Sequence, residues 1–337
     1  MKKAFKVTFG ALLAVSMAAP IAAVAHDPIA NHLAVWGDLT YMRPSNNGLS
    51  VGDFGTLPFP ANSDGAHNHW FVAPDNEFDF ALGVSYRLPH THNRVFFSYN
   101  RFGADEDRQG DVNIRNLGLA PAAGQPTQGI VEYDIKSHEY RLGLIHDLHL
   151  GDRFCLDILA FLEYDRLKQN FNEGISNFNL TDVRARETEN KIVGFGPGVG
   201  FMSHWYARNP HWQLFAGVNS TLLRTENHFH QQFSHLVGGA DYYIYEPEET
   251  DSLVAKFDIE FGLNYNCSFK HELHGIKWDV ALGMKYMNMV NVFKNGNTAY
   301  QPLSFNGGDV RPVYLGAAQD WGNYGPFLRF KIGGNHS

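Results

Sequence analysis

The chain has 337 residues, of which 44% are hydrophobic and 18% are charged, and its formal net charge is −8. This composition excludes an intrinsically disordered chain and a collagen-like fibre. Because Asp and Glu (35) outnumber Lys and Arg (27) and no basic stripe occurs, we expect no nucleic-acid partner. The two cysteines, Cys155 and Cys267, lack the CxxC spacing of a zinc or redox site.

The N-terminal segment has the three parts of a secretory signal peptide. Three lysines stand within the first six residues, residues 7–24 are apolar, and small residues precede a change to polar sequence. We predict cleavage after Ala25, which divides the chain into a signal peptide at 1–25 and one mature domain at 26–337. The alternative is an uncleaved membrane anchor. Beyond residue 25 no apolar run of about 18 residues occurs, so we expect no helical membrane span.

Alternating apolar and polar residues predict ten β-strands in the mature domain. The clearest case runs from Leu253 to Phe269, where every odd-numbered residue is apolar. A strand of a soluble sandwich needs about 5–6 residues, whereas a tilted membrane strand needs about 9–11. In chain order, the ten segments are 32–42, 78–88, 95–99, 128–148, 156–164, 193–201, 212–226, 253–269, 276–286 and 322–332.

The connections between these segments alternate in length. They are long at 43–76, 103–127, 169–186, 227–251 and 290–321, and short at 89–93, 149–153, 207–211 and 270–275. This alternation is typical of outer-membrane barrels, so we predict an all-β fold. The expected architecture is a transmembrane antiparallel β-barrel of about ten strands, with short periplasmic turns and long extracellular loops. A further hairpin in 43–76 or 290–321 would give twelve strands. The competing fold, a soluble β-sandwich, requires a second buried face that these long strands lack.

The segment 128–148 departs from simple alternation. Its apolar residues change parity near Ser137, from Tyr133 and Ile135 to Tyr140 and Leu142. A β-bulge near Ser137 would return all of them to the lipid-facing side. We therefore predict one long, bulged strand here.

Charged residues that alternate with the apolar ones are expected to line the lumen. They are Asp79, Arg87, Asp134, Arg141, Asp157, Glu163, Lys256, Asp258, Glu260, Lys277, Asp279, Lys285 and Arg329. A hairpin at 270–275 would place Lys285 opposite Asp258 or Glu260 as an ion pair. Because barrels of about eight strands are filled by side chains and porins of about 16 leave a channel, ten strands allow a narrow pore or a plugged lumen.

Aromatic residues flank two of the predicted short turns. Trp205, Tyr206 and Trp212 border 207–211, and Trp278 follows 270–275. Aromatic residues at such positions form a girdle at the membrane interface in outer-membrane barrels. We therefore predict that these four residues lie at the periplasmic edge of the membrane.

No catalytic residue, metal site or cofactor is predicted. Histidines at alternate positions, such as His228 and His230, stand in predicted loops or turns without a third ligand at fixed spacing. The acidic and histidine residues of 226–241 form no triad or metal motif. We therefore expect that the protein is not an enzyme.

The mature chain contains the segments FDFALGVSYRLPHTHNRVFFSYNRF (78–102), VEYDIKSHEYRLGL (131–144), ENKIVGFGPGVGF (189–201) and WQLFAGVNSTLL (212–223). Together they resemble the Legionella major outer membrane protein family over most of the mature chain. The resemblance implies an outer-membrane barrel of pore-forming type. Near the C-terminus, a further pattern is similar to the closing-strand signal that the insertion machinery reads in bacterial barrels. Its residues are Asn323, Gly325, Leu328 and Phe330.

These observations predict a protein of the outer membrane of a Gram-negative bacterium, which it reaches after secretion across the inner membrane. The expected function is porin-like passive diffusion of small hydrophilic solutes or ions, screened by the size and charge of the lumen. The alternative is a surface-exposed adhesin or structural barrel with a plugged lumen, acting through its extracellular loops and binding host-surface molecules. Expected partners are outer-membrane lipid, lipopolysaccharide, the barrel-insertion machinery and small solutes. Whether the chain forms a homo-oligomer stays open.

Overall fold

The computed structural model describes residues 33–46, 50–54, 68–71, 77–111, 127–177, 183–209, 211–236, 240–245, 250–268, 277–293, 298–302, 310–314 and 319–334. The signal peptide predicted at 1–25 lies outside these residues and stays a prediction. No helix among the described residues is long and apolar enough to cross a membrane.

The described residues form β-strands joined by turns. In chain order the strands are β1 Leu33–Asn46, β2 Ser50–Phe54, β3 Asn68–Phe71, β4 Glu77–Arg87, β5 Asn93–Asp111, β6 Thr127–His149, β7 Phe154–Asn177, β8 Val183–Tyr206, β9 Trp212–Leu236, β10 Ala240–Tyr245, β11 Thr250–Ser268, β12 Lys277–Phe293, β13 Thr298–Pro302, β14 Val310–Tyr314 and β15 Gln319–Gly334.

Ten strands form one closed antiparallel barrel, which confirms the predicted fold. Around the wall their order is β1, β4, β5, β6, β7, β8, β9, β11, β12 and β15. The first and last strands pair from Leu33 opposite Gly334 to Asn46 opposite Trp321, and this pairing closes the wall. Closure is required in a bilayer because hydrocarbon cannot satisfy the N–H and C=O groups of an open sheet edge.

Five short strands among the described residues lie outside this ring. Strands β2 and β3 pair only with each other, as do β13 and β14, and β10 pairs with the end of β9. The loops 43–76 and 290–321 therefore do contain hairpins, as the twelve-strand alternative required, but these hairpins do not enter the wall. The barrel has ten strands.

The strands β6 to β9 are longer than the sequence predicted. Residues 169–177, 183–186 and 227–236, expected in loops, continue as strand. At about 3.3 Å per residue, the 24 residues of β7 span about 80 Å, whereas the apolar band of such a barrel is about 25 Å tall. This part of the wall therefore projects well beyond the membrane on the side of the long connections.

The bulge predicted near Ser137 is absent from β6. Its register runs without a shift against β5 and against β7. Tyr133 and Ile135 instead point into the barrel, where they are 1% and 0% exposed. The parity of the apolar residues changes because the outer face of the projecting wall meets water and not lipid.

One interruption in the wall has a clear cause in the sequence. The pairing of β8 with β9 breaks off after Phe195 and resumes at Gly198. Pro197 lies in this gap and has no N–H to donate to the ladder. Gly196 beside it lets the strands approach closely, because an added Cβ would lie 1.9 Å from the carbonyl oxygen of Leu222.

Candidate functional site: the barrel lumen

The outer face of the wall carries an apolar belt. Large apolar side chains such as Leu142, Phe261 and Leu282 are more than half exposed there. At the end with the short turns, Trp205 is 60% exposed and Trp212 packs edge-on against Tyr265, with ring centroids 4.8 Å apart. These features are those expected of a lipid-facing surface with an aromatic border.

Three of the four predicted girdle residues, Trp205, Trp212 and Trp278, lie on outward-facing positions. Tyr206 does not, because its position has the opposite parity to Trp205, and it lines a cavity at the end of the lumen with the short turns. Tyr206 is therefore not a girdle residue. The sequence does not show this facing because Tyr206 stands next to a turn, and closeness to a turn does not determine which face a side chain takes.

The strands carry a second aromatic row at the other edge of the belt. It runs across adjacent strands through Tyr99, Tyr140, Tyr164 and Phe195, which are directly opposite one another in register. The rings of Tyr99 and Tyr140 lie 5.0 Å apart. This row was not predicted from the sequence, although its members belong to alternating apolar segments.

Most of the charged residues predicted to line the lumen do face inward. Asp134 does not: its carboxylate lies on the outer face, 2.9 Å from Nζ of Lys136. The absent bulge explains this correction, because the unbroken alternation that turns Tyr133 and Ile135 inward turns Asp134 outward. The side chain of Lys277 lies outside the described part of the structure.

A buried cluster around Lys256 crosses the lumen. The Nζ atom of Lys256 donates to Glu139 at 2.5 Å, to Glu163 at 2.6 Å and to Asp165 at 2.9 Å. Thr221 donates to Glu163 at 2.8 Å. Strand β11, which carries Lys256, stands four strands around the wall from β6, which carries Glu139. These ion pairs therefore connect opposite sides of the barrel.

Arg141 extends the same cluster. Its Nε atom lies 2.9 Å from Glu139 and 2.8 Å from Glu163, and its other end donates to Asp258 on β11. The guanidinium also lies 5.0 Å from the ring centre of Phe161. Two cations thus hold four carboxylates in the middle of the lumen.

A second cluster occupies the wall formed by β11, β12, β15 and β1. Arg329 donates to both carboxylate oxygens of Asp38 at 2.7 and 2.9 Å, and to Glu260 at 3.0 and 3.2 Å. Lys285 also contacts Asp38. In register, Lys285 stands opposite Glu260, with their charged atoms 4.0 Å apart, so the predicted hairpin register is confirmed.

A third cluster lies at the end of the lumen with the short turns. Arg94 contacts Asp147 at 2.5 Å and Asp157 at 2.7 Å, and Arg87 contacts Asp147 at 2.7 Å. His204 lies 3.2 Å from Asp157. The mixed signs mean that this mouth of the lumen presents both donors and acceptors to an entering solute.

Two cavities lined by both charged and apolar side chains adjoin these clusters. One of about 160 Å³ lies at the mouth and one of about 260 Å³ lies deeper, and both are lined by Arg94, Asp157, His204, Arg329 and Lys331. Because they share these lining residues, they are neighbours along the barrel axis. They provide open space, bordered by charged residues, in the half of the lumen that adjoins the short turns.

The other half of the lumen contains a large group of packed apolar side chains. One cluster of buried residues draws on every barrel strand except β4, and its members are Met42, Phe102, Ala104, Tyr133, Ile135, Leu167, Phe171, Ile192, Leu223, Val254, Met287, Met289, Val292 and Trp321. Trp321 is 0% exposed, and its ring lies 5.7 Å from that of Phe102 on β5. In this conformation the cluster closes the described part of the lumen above the charged residues.

The carboxylates of Glu139, Glu163 and Asp165 also meet the distance criterion of a metal site, since one oxygen of each lies within 4.8 Å of the others. The ammonium group of Lys256 already occupies the centre of this group. The three carboxylates therefore serve as the counter-charge of a lysine.

Several residues of these clusters were not predicted from the sequence. They are Asp38, Arg94, Glu139, Asp147 and Asp165. Each has inward parity on its strand, so the alternation could have found them. Arg94 and Asp165 were missed because the predicted segments 95–99 and 156–164 stop one residue short of them. Asp38, Glu139 and Asp147 lie on the inward faces of predicted segments and were not counted.

The closed ten-strand wall, its lipid-facing belt and its charged interior define an outer-membrane β-barrel. A family model described as the Legionella pneumophila major outer membrane protein precursor matches residues 30–334. The chain belongs to this family, and its place is the outer membrane. No curated protein matches the sequence.

The chain is also similar to several solved structures at low sequence identity. The outer membrane protease OmpT from Escherichia coli is 9% identical, with 92% of this chain and 98% of that chain covered and a TM-score of 0.46. A FadL homologue from Pseudomonas aeruginosa is 8% identical, with 91% of each chain covered and a TM-score of 0.28. The toluene transporter TodX from Pseudomonas putida is 6% identical, with 95% and 93% covered and a TM-score of 0.30.

Proposed function

We propose that this protein is a porin-like barrel that allows passive diffusion of small hydrophilic solutes or ions. The observation that carries the proposal is the pair of adjoining cavities in the lumen, whose walls include charges of both signs among apolar side chains. A barrel that served only as a scaffold would have no need of charged groups around a cavity within its wall. The described conformation is closed at the apolar cluster, and conduction requires those side chains to move apart.

The fixed charges in the lumen determine which ions and solutes pass most readily. Asp258 and Glu260 stand two residues apart on β11 and neutralise Arg141 and Arg329 respectively. A path this narrow brings every permeating ion close to these groups, where a fixed charge acts in a medium of lower polarity than bulk water. The proposal involves no chemical reaction and assigns no catalytic residue.

The apolar cluster favours a second candidate function. If it never opens, the protein is a structural barrel or surface adhesin with a plugged lumen. In that case the strands and connections beyond the membrane carry the function. The ion pairs between Lys256 and the opposite wall would then serve stability alone.

Single-channel recording of the refolded mature protein in a planar bilayer distinguishes the pore from the plugged barrel. Current steps that scale with salt concentration support the pore. A barrel that is folded, as heat-modifiable gel mobility reports, but never conducts overturns it and supports the plugged alternative.

The charge assignment has its own test. The double variant Asp258→Ala with Glu260→Ala leaves Arg141 and Arg329 without these carboxylates, so the reversal potential in a salt gradient should shift toward anion selectivity. The matched control is Asp134→Ala with Glu189→Ala, which removes two outward-facing carboxylates and should leave the reversal potential unchanged. Equal reversal potentials in the two variants would contradict the assignment of Asp258 and Glu260 to the path.

A further inference from the structure

The outer face of β5 to β8 carries basic residues immediately beyond the second aromatic row. Arg101 lies two residues from Tyr99 on β5, His138 two residues from Tyr140 on β6, and Arg166 two residues from Tyr164 on β7. These three basic residues are directly opposite one another in register. The next row along the strands contains Lys136, Lys168 and Lys191, again directly opposite one another. We call these residues the basic patch.

This arrangement is unfavourable for the protein alone. Cross-strand neighbours have Cβ atoms about 5 Å apart, and like charges directly opposite each other destabilise a sheet. Lys136 and Lys168 each have a carboxylate partner in the row farther from the belt, Asp134 and Glu189, both at 2.9 Å. The row that borders the belt, which contains Arg101, His138 and Arg166, has no acidic residue at its register positions on β5 to β8.

The arginines of the patch show where an anion would bind. Arg101 and Arg166 are exposed, and neither forms an ion pair with a described side chain. His138 between them engages the hydroxyl of Tyr99, with its Nδ1 atom 2.8 Å from the oxygen. Their guanidinium groups flank a space about two strand spacings wide, roughly 10 Å. A guanidinium binds a phosphate through two parallel hydrogen bonds.

We propose that the basic patch binds the phosphate groups of lipopolysaccharide in the outer leaflet. The patch begins where the lipid-facing belt ends, which is the depth at which the headgroups of that leaflet lie. Its cations span four adjacent strands, about 14 Å, so they match a headgroup with several phosphates better than one with a single phosphate. The acyl chains then lie along the belt below, against Tyr99, Tyr140 and Tyr164.

The test measures binding of purified rough-type lipopolysaccharide to the refolded protein in detergent. The double variant Arg101→Gln with Arg166→Gln should bind it about tenfold more weakly, since charge-assisted hydrogen bonds to two arginines are lost. The matched control is Arg153→Gln with Arg208→Gln, two exposed arginines in the short turns at the opposite end. This control should retain the affinity of the parent protein.

Two further measurements on the unsubstituted protein do not depend on how the variants fold. Lipopolysaccharide stripped of its phosphates should bind at least about tenfold more weakly than the intact molecule, and added salt should weaken binding of the intact molecule. The proposal is overturned if the stripped molecule binds equally well or if the control variant loses as much affinity as the test variant. It is also overturned if phosphatidylglycerol binds as tightly as lipopolysaccharide, because the patch would then recognise any anionic lipid.

Discussion

Replacing Lys256 by methionine would leave three carboxylates in the lumen without the ammonium group that they share. The side chain of Lys256 is 1% exposed, so water cannot take the place of its three hydrogen bonds to Glu139, Glu163 and Asp165. Removing one partner of a buried ion pair costs about 3–5 kcal/mol. Because Arg141 still contacts two of the three carboxylates, we expect a loss near the lower end, about 3 kcal/mol in the free energy of unfolding.

Equilibrium unfolding of the refolded barrel in denaturant, followed by tryptophan fluorescence, measures this loss. The matched control is Lys136→Met, because Lys136 has a 52% exposed side chain and a single ion pair with Asp134. An exposed pair contributes about 0–1 kcal/mol. Adding Glu139→Gln and Asp165→Asn to the Lys256 variant removes the repulsion and should recover part of the stability. If the Lys256 and Lys136 variants lost equal stability, the reasoning about the buried cluster would be refuted.

Two further substitutions test the apolar cluster and the close approach of β8 to β9. Trp321→Ala removes the largest of the fully buried side chains described, so we expect a larger single-channel conductance and a stability loss of about 3–5 kcal/mol. An unchanged conductance would contradict the inference that the apolar cluster closes the lumen. Gly196→Ala forces a Cβ against the carbonyl of Leu222, so the folded fraction on heat-modifiable gels should fall. Gly174→Ala, which meets nothing within 4 Å, is its control and should fold normally.

The part of the barrel within the membrane could be predicted from the sequence because lipid imposes one rule on it. Every second side chain must be apolar, so the alternation from Leu253 to Phe269 predicted strand β11 and the side chains on its lipid-facing side. The similar alternation that follows predicted its partner, β12. The short turn between β11 and β12 limits which residues of the two strands can pair. Lys285 accordingly stands opposite Glu260, as predicted.

The part of the barrel beyond the membrane could not be predicted by the same rule. Water covers the outer face there, and the apolar residues turn inward to fill the lumen, as Tyr133 and Ile135 do. In the sequence, this change in the side that apolar residues face looks the same as a β-bulge. The bulge predicted for β6 therefore assigned Asp134 to the lumen, whereas it lies on the outer face. Cross-lumen partners such as Glu139 and Lys256 are 117 residues apart, and no local pattern specifies which inward-facing charges meet across a closed barrel.

The unequal lengths of the strands have a consequence for recognition at the cell surface. Strand β4 has 11 residues and β7 has 24, so one side of the wall stands far higher than the other. A macromolecule that docks on the high side meets a sheet whose backbone is already ordered. Such docking loses little conformational entropy, whereas docking on a long loop would first have to fix the backbone of each residue in the contact.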